Sequence, residues 1–221
     1  MRRITTIFLH VAAAASIGFG APVGEAHAAP SSTSAQALLE AAQSDDVRRT
    51  QLLRTGQRVA EFCANCHGRN GTSTTPEIPN LAGQNASYVL EQMRKYAAGE
   101  RRDDMNFMRG LIKALNEEEK AAVAYYYAGL EPVPVRVPEG AGNDRGRALF
   151  ASRCAQCHGE RARGAQQVPR LAGQQPEYLR LSLERYQRRT GERIYPPMSE
   201  IVRGLGAADV TALVDYLAAL R

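Results

Sequence analysis

The stretch Cys63-Ala64-Asn65-Cys66-His67 decides the reading of this chain, because it returns as Cys154-Ala155-Gln156-Cys157-His158. Each copy is C-x-x-C-H, the attachment signature of a c-type haem: both thiols add to the vinyl groups and the adjacent imidazole ligates iron. A single C-x-x-C would suit a redox disulfide or half a zinc site equally well. Two copies, each closed by His and together using all four cysteines, favour two covalently bound haems c over either alternative.

The supply of further ligands then decides the other axial position. The chain has four His, at 10, 27, 67 and 158. The first two fall in an apparent leader: Met1-Arg2-Arg3 is positive, residues 4–19 are apolar, and Ala26-His27-Ala28 is an A-x-A cleavage pattern. Residues 1–28 read as a secretory signal peptide cut after Ala28, and the apolar run is short against the roughly 20 residues of a membrane span. Nothing later is apolar enough to cross a bilayer, so the exported protein is expected to be soluble, with at most a peripheral membrane contact. His67 and His158 are already committed as proximal ligands, so bis-histidine ligation is excluded within the mature chain. The second half has no Lys and a single Met, Met198, which becomes the natural sixth ligand there. The first half offers Met93, Met105 and Met108.

An internal repeat chooses among them. Leu81-Ala82-Gly83-Gln84 recurs as Leu171-Ala172-Gly173-Gln174, and Tyr88, Tyr96, Leu115, Tyr126 and Leu130 recur 90 residues on as Tyr178, Tyr186, Leu205, Tyr216 and Leu220. The haem motifs are offset by 91 (His67 to His158), so one residue is gained or lost between motif and loop. An offset of 90 carries Met198 back to Met108, the favoured ligand. Met105 answers to Tyr195 and stands as the alternative, while Met93 answers to Leu183 inside a helical stretch and belongs in the core.

Each unit reads as all-α. A helix leads into the motif (47–63; 144–154), a Pro/Gly loop follows, and then comes a helix of period 3.6 (86–98; 176–190). A loop carrying the Met comes next, and a terminal helix closes the unit (117–130; 207–220). Asn116 with Glu119 forms a capping box ahead of the first closing helix. The chain therefore divides into a flexible N-terminal extension (29–46), a first domain (47–130), a Pro-rich extended linker (131–142) and a second domain (143–221). Domains this small bury little apolar surface by themselves. The haem disc is expected to supply most of each core, leaving the haem-free chain poorly folded. Tyr125-Tyr126-Tyr127 reads as helix core and Arg101-Arg102-Asp103-Asp104 as a solvated loop, with Arg109 and Arg203 as weak candidates for the haem propionates.

Charge is uneven: 31–142 holds 13 Lys+Arg against 14 Asp+Glu, and 143–221 holds 13 Arg against 8 Asp+Glu. Such asymmetry can orient a protein against an acidic partner. No basic run is interleaved with aromatic residues, which excludes a nucleic-acid binder.

The paired C-x-x-C-H motifs, the Pro-x-Leu-Ala-Gly-Gln segments (79–84; 169–174) and the Met-bearing segment before each final helix resemble the class I cytochromes c, in particular the dihaem cytochrome c4 family. The resemblance runs over roughly 51–221. It implies that the backbone carbonyls of Pro79 and Pro169 accept the free N–H of each proximal histidine. It implies too that the two haems face each other across a domain interface. The function implied is electron transfer in the periplasm, from a quinol-oxidising complex or dehydrogenase to a terminal oxidase. Rival readings are an electron-accepting subunit of a larger dehydrogenase and a dihaem peroxidase or thiosulfate-oxidising enzyme. The enzymes need an exchangeable sixth position, against which Met108 and Met198 argue. Where the chain departs from the family is its Lys-free, Arg-rich second half.

Overall fold

A computed structural model describes residues 33–103, 105–137, 144–189 and 192–221. The expected signal peptide and residues 138–142 of the expected linker lie outside them. Ten helices and no strand occur among the described residues: α1 (Ala35–Ala41), α2 (Asp46–His67), α3 (Ala86–Ala98), α4 (Phe107–Ala114), α5 (Glu117–Ala128), α6 (Asp144–Arg153), α7 (Ala155–His158), α8 (Pro176–Arg188), α9 (Pro196–Val202) and α10 (Ala207–Ala219). The all-α tandem fold expected from the repeat is the one observed, with α2–α5 answered by α6–α10.

In each unit the first and last helices cross and define the core. Gly56 of α2 lies so close to α5 that a Cβ there would sit 2.2 Å from the Ala122 carbonyl and 2.7 Å from Tyr126 Cβ. Gly146, 90 residues on, meets Ala212 and Tyr216 in the same way, at 2.1 and 2.7 Å. Each crossing brings its apolar faces together. Val59, Val89, Ile112, Val123 and Tyr127 form one core, and Phe150, Leu179, Val202, Leu213 and Leu217 the other. Met93 is buried in the first, as expected. The Asn116–Glu119 capping box is present at α5.

Three expectations need correction. Residues 29–46 are not a loose extension where they are described: α1 buries Ala35, Leu39 and Ala42 with Leu52, Ala121 and Ala122. Ser34 caps it, and its Ala35 N–H donates to Glu117 at 3.0 Å. Ala35, Leu38, Leu39 and Ala42 make only a short apolar face, and its alanines allow α1 to lie close on α5. The methionine segments are short helices rather than loops, with Met108 in the first turn of α4 and Met198 in that of α9. Arg101 is not solvated but buried.

The Leu-Ala-Gly-Gln segments are built identically. Gly71 O accepts from Leu81 and Ala82, and Ala162 O accepts from Leu171 and Ala172. Gly83 then donates to Tyr127 O and Gly173 to Leu217 O, at 2.9 and 3.0 Å. Gly71 and Ala162 stand 91 apart and Pro79 and Pro169 stand 90 apart, so the extra residue of the first repeat lies between Gly71 and Pro79.

Candidate functional site

The last turn of α2 is the first motif itself. Helical spacing sets Cys63 and Cys66 three apart and His67 four from Cys63, so all three share one face. The helix stops at Gly68 with φ 80°, and the second repeat repeats this through α7 and Gly159 with φ 74°. None of the four cysteines is joined in a disulfide. Burial pushes Cys63 up from its ordinary value and Cys154 up to about 11.

His67 Nδ1 lies 2.9 Å from the Pro79 carbonyl and His158 Nδ1 lies 3.1 Å from that of Pro169. A carbonyl only accepts, so Nδ1 carries the proton in both rings and the Nε2 lone pair is left for a metal. Burial lowers both imidazoles from their ordinary range, which keeps them neutral. Met108 and Met198 are half-buried, each at the edge of its own domain's core, whereas Met105 is 83% exposed. Asp103 Oδ2 accepts from the N–H groups of Phe107 and Met108, at 2.9 and 3.3 Å, and so fixes the start of α4. Arg203 pairs with Glu200 at 2.6 Å.

Between the repeats lies a cluster that composition did not reveal. Arg101 is 7% exposed and Arg193 6%, and they bridge backbone to backbone. Arg101 donates to Gln92 and Tyr178, both at 2.9 Å, and lies over the Tyr96 ring. Arg193 donates to Tyr178, Ser182 and Tyr88, at 2.9, 3.1 and 2.7 Å, and lies over Tyr186. Burial raises Tyr178, but the two guanidiniums outweigh it and bring the phenol down to about 7. Neither arginine has a carboxylate partner among the described residues, and Arg193 Nε is buried without a hydrogen bond. A buried charge without its counter-ion is costly. Arg101 also lies close enough to depress His67 electrostatically. The cluster is suited to the carboxylates that a haem brings, so these residues fit the group that the motifs imply.

Two tandem helical cores, each with a C-x-x-C-H turn at or directly after the end of its first helix, define a dihaem c-type cytochrome. The cytochrome c family model matches residues 53–130 and again 143–221. The chain is similar to cytochrome c4 of Pseudomonas aeruginosa, at 30% identity over 75% of this chain and 87% of that protein. It is 30% identical to a thiosulfate dehydrogenase electron acceptor of Thiomonas intermedia, over 72% and 79%. Its fold is similar to the Acidithiobacillus ferrooxidans cytochrome c4 structure, with a TM-score of 0.65 and 29% identity over 72% of this chain and 99% of that one. The chain therefore belongs to the dihaem cytochrome c4 family and carries two covalently bound haems c.

Proposed function

We propose that this electron-transfer cytochrome is an exported two-electron carrier. In this reading Cys63 and Cys66 anchor one haem with His67 and Met108 on its iron, and Cys154 and Cys157 anchor the other with His158 and Met198. The observation that carries the proposal is one register used twice: a carbonyl-fixed imidazole in each repeat, and 90 residues apart a half-buried Met on a short helix. Bound haem supplies reversible one-electron exchange at its iron. The protein's residues do the rest. Pro79 and Pro169 orient the imidazoles and raise their basicity, and the Met108 and Met198 thioethers would be the second protein ligand to each iron. Apolar side chains keep water out, and Arg101 and Arg193 hold the propionates.

The apparent leader supports a periplasmic location, with a quinol-oxidising complex or dehydrogenase as donor and a terminal oxidase as acceptor. A second reading is an electron-accepting subunit of a dehydrogenase, which the Thiomonas relative's name favours. Co-purification of a catalytic subunit would decide for it.

The test is the visible spectrum of the reduced protein before and after carbon monoxide, with haem quantified. Two haems per chain and an unchanged spectrum are expected. Carbon monoxide binding to about half the haem would leave one sixth position open and defeat the carrier reading. Met108→Ala should admit carbon monoxide at one haem, while Met105→Ala should not.

A further inference from the structure

The two Leu-Ala-Gly-Gln glutamines reach into the other repeat. Gln174 Oε1 accepts from the Asn80 N–H at 2.7 Å and its Nε2 donates to the Asn80 carbonyl at 3.0 Å. Gln84 treats Arg170 in the same way, accepting at 2.8 Å and donating at 3.0 Å. Both carboxamides are 6% exposed. Each Oε1 also accepts from the next residue's N–H, Gln175 at 2.9 Å and Asn85 at 3.0 Å. Neither carboxamide has an unused polar atom. Asn80 and Arg170 differ in side chain, but the glutamines bond to their backbone alone.

The gripped amide is the other half of the peptide bond that holds the histidine. Pro79 contributes the carbonyl facing His67 and Asn80 the N–H facing Gln174, on opposite sides of one trans peptide. Peptide resonance links those two atoms. An acceptor on the N–H pushes electron density onto the carbonyl oxygen, and hydrogen bonds in such a chain strengthen one another. The Pro79 carbonyl then draws harder on the Nδ1 proton, which makes the imidazole a stronger donor through Nε2 and favours ferric iron. His158, Pro169, Arg170 and Gln84 form the mirror chain.

We propose that Gln84 and Gln174 are cross-repeat positioning residues, each setting the donor strength of the proximal histidine in the other repeat. Docking of the repeats is thereby coupled to both reduction potentials. The inference rests on His67 and His158 being iron ligands.

The experiment uses full-length holoprotein carrying Gln174→Met or Gln84→Met, near-isosteric changes that remove every carboxamide bond. The potential of each haem is assigned to its repeat by the shifted haem methyl resonances. Gln174→Met should raise the potential of the His67 haem, changing its ferrous-to-ferric ratio at the parent midpoint by about three-fold, and leave the His158 haem in place. Gln84→Met should do the reverse. Faster amide exchange at Asn80 in the first variant, and at Arg170 in the second, should accompany the shifts. Should a Met variant lose haem, Gln174→Asn and Gln84→Asn withdraw the carboxamide by one methylene and must give the same crossed pattern. Shifts in the variant's own repeat, equal shifts in both, or none, with spectra of intact His/Met ligation, overturn the inference alone. A parent spectrum lacking histidine ligation overturns the underlying site reading.

Discussion

At the scale of single residues, two glycines outside the motifs are fixed by the space beside them. Gly56 and Gly146 have ordinary helical backbone, so conformational freedom is not their purpose; the space beside them is. An alanine at either would press its Cβ on a backbone carbonyl at 2.2 or 2.1 Å, and a backbone cannot rotate away. Overpacking of this kind costs roughly 1–3 kcal/mol. Gly56→Ala should therefore lower the stability of the first haem domain by about 2 kcal/mol, read as a lower midpoint in thermal unfolding of the holoprotein. Gly110, whose Cβ would meet nothing within 4 Å, is the control and should accept alanine with no loss of that kind.

At the scale of elements, most of the helices were legible and one was not. Helices with a period of 3.6, a capping box or a repeat partner announce themselves: α3 was expected over the residues it occupies, and α5 starts at its predicted cap. The first helix has no counterpart in the second repeat, and its apolar stripe (Ala35, Leu38, Leu39, Ala42) is short and half alanine. A helix of two turns is not stable alone, so it forms only because Ala35, Leu39 and Ala42 meet α5. Part of that docking is ionic. Lys120, and then the Ala35 N–H, hold the Glu117 carboxyl below its ordinary 4.5. A depressed carboxyl contributes its stability above the ordinary value and loses it as pH falls through the depressed one. Protection of the α1 amides, relative to the intrinsic exchange rate at each pH, should accordingly fall as the solution is acidified below about 4.5, ahead of α2 and α5. Glu117→Gln should remove that pH dependence; an α1 equally protected at neutral and acid pH would contradict the assignment.

At the scale of the whole molecule, the repeat made the architecture readable, and the interface between repeats stayed hidden. Arg101 sits in Arg-Arg-Asp-Asp, which by composition is a solvated loop. It is buried because Tyr178, 77 residues away, stands over it. Gln84 and Gln174 were visible as a repeated motif, but their partners lie 86 and 94 residues off in the other repeat. Contacts at that range follow from how two units dock, which periodicity cannot express. Each domain is also too small to be stable on burial alone, and its buried histidine and arginine are costly without their ligands. Chain produced without haem attachment should show no cooperative unfolding transition by calorimetry, and a sharp one would refute the view that haem completes each core.

The crossed glutamines also impose an order on how the protein comes into being. A polypeptide is made and delivered from its N-terminus, so His67 and Pro79 emerge well before Gln174 exists to grip the peptide beside them. The first half can receive its cofactor early, yet it attains its finished electronic state only once the second half has folded. The last-made half is thus the inspector of the first-made one, and a chain interrupted before residue 174 would yield an immature protein rather than half of a working one.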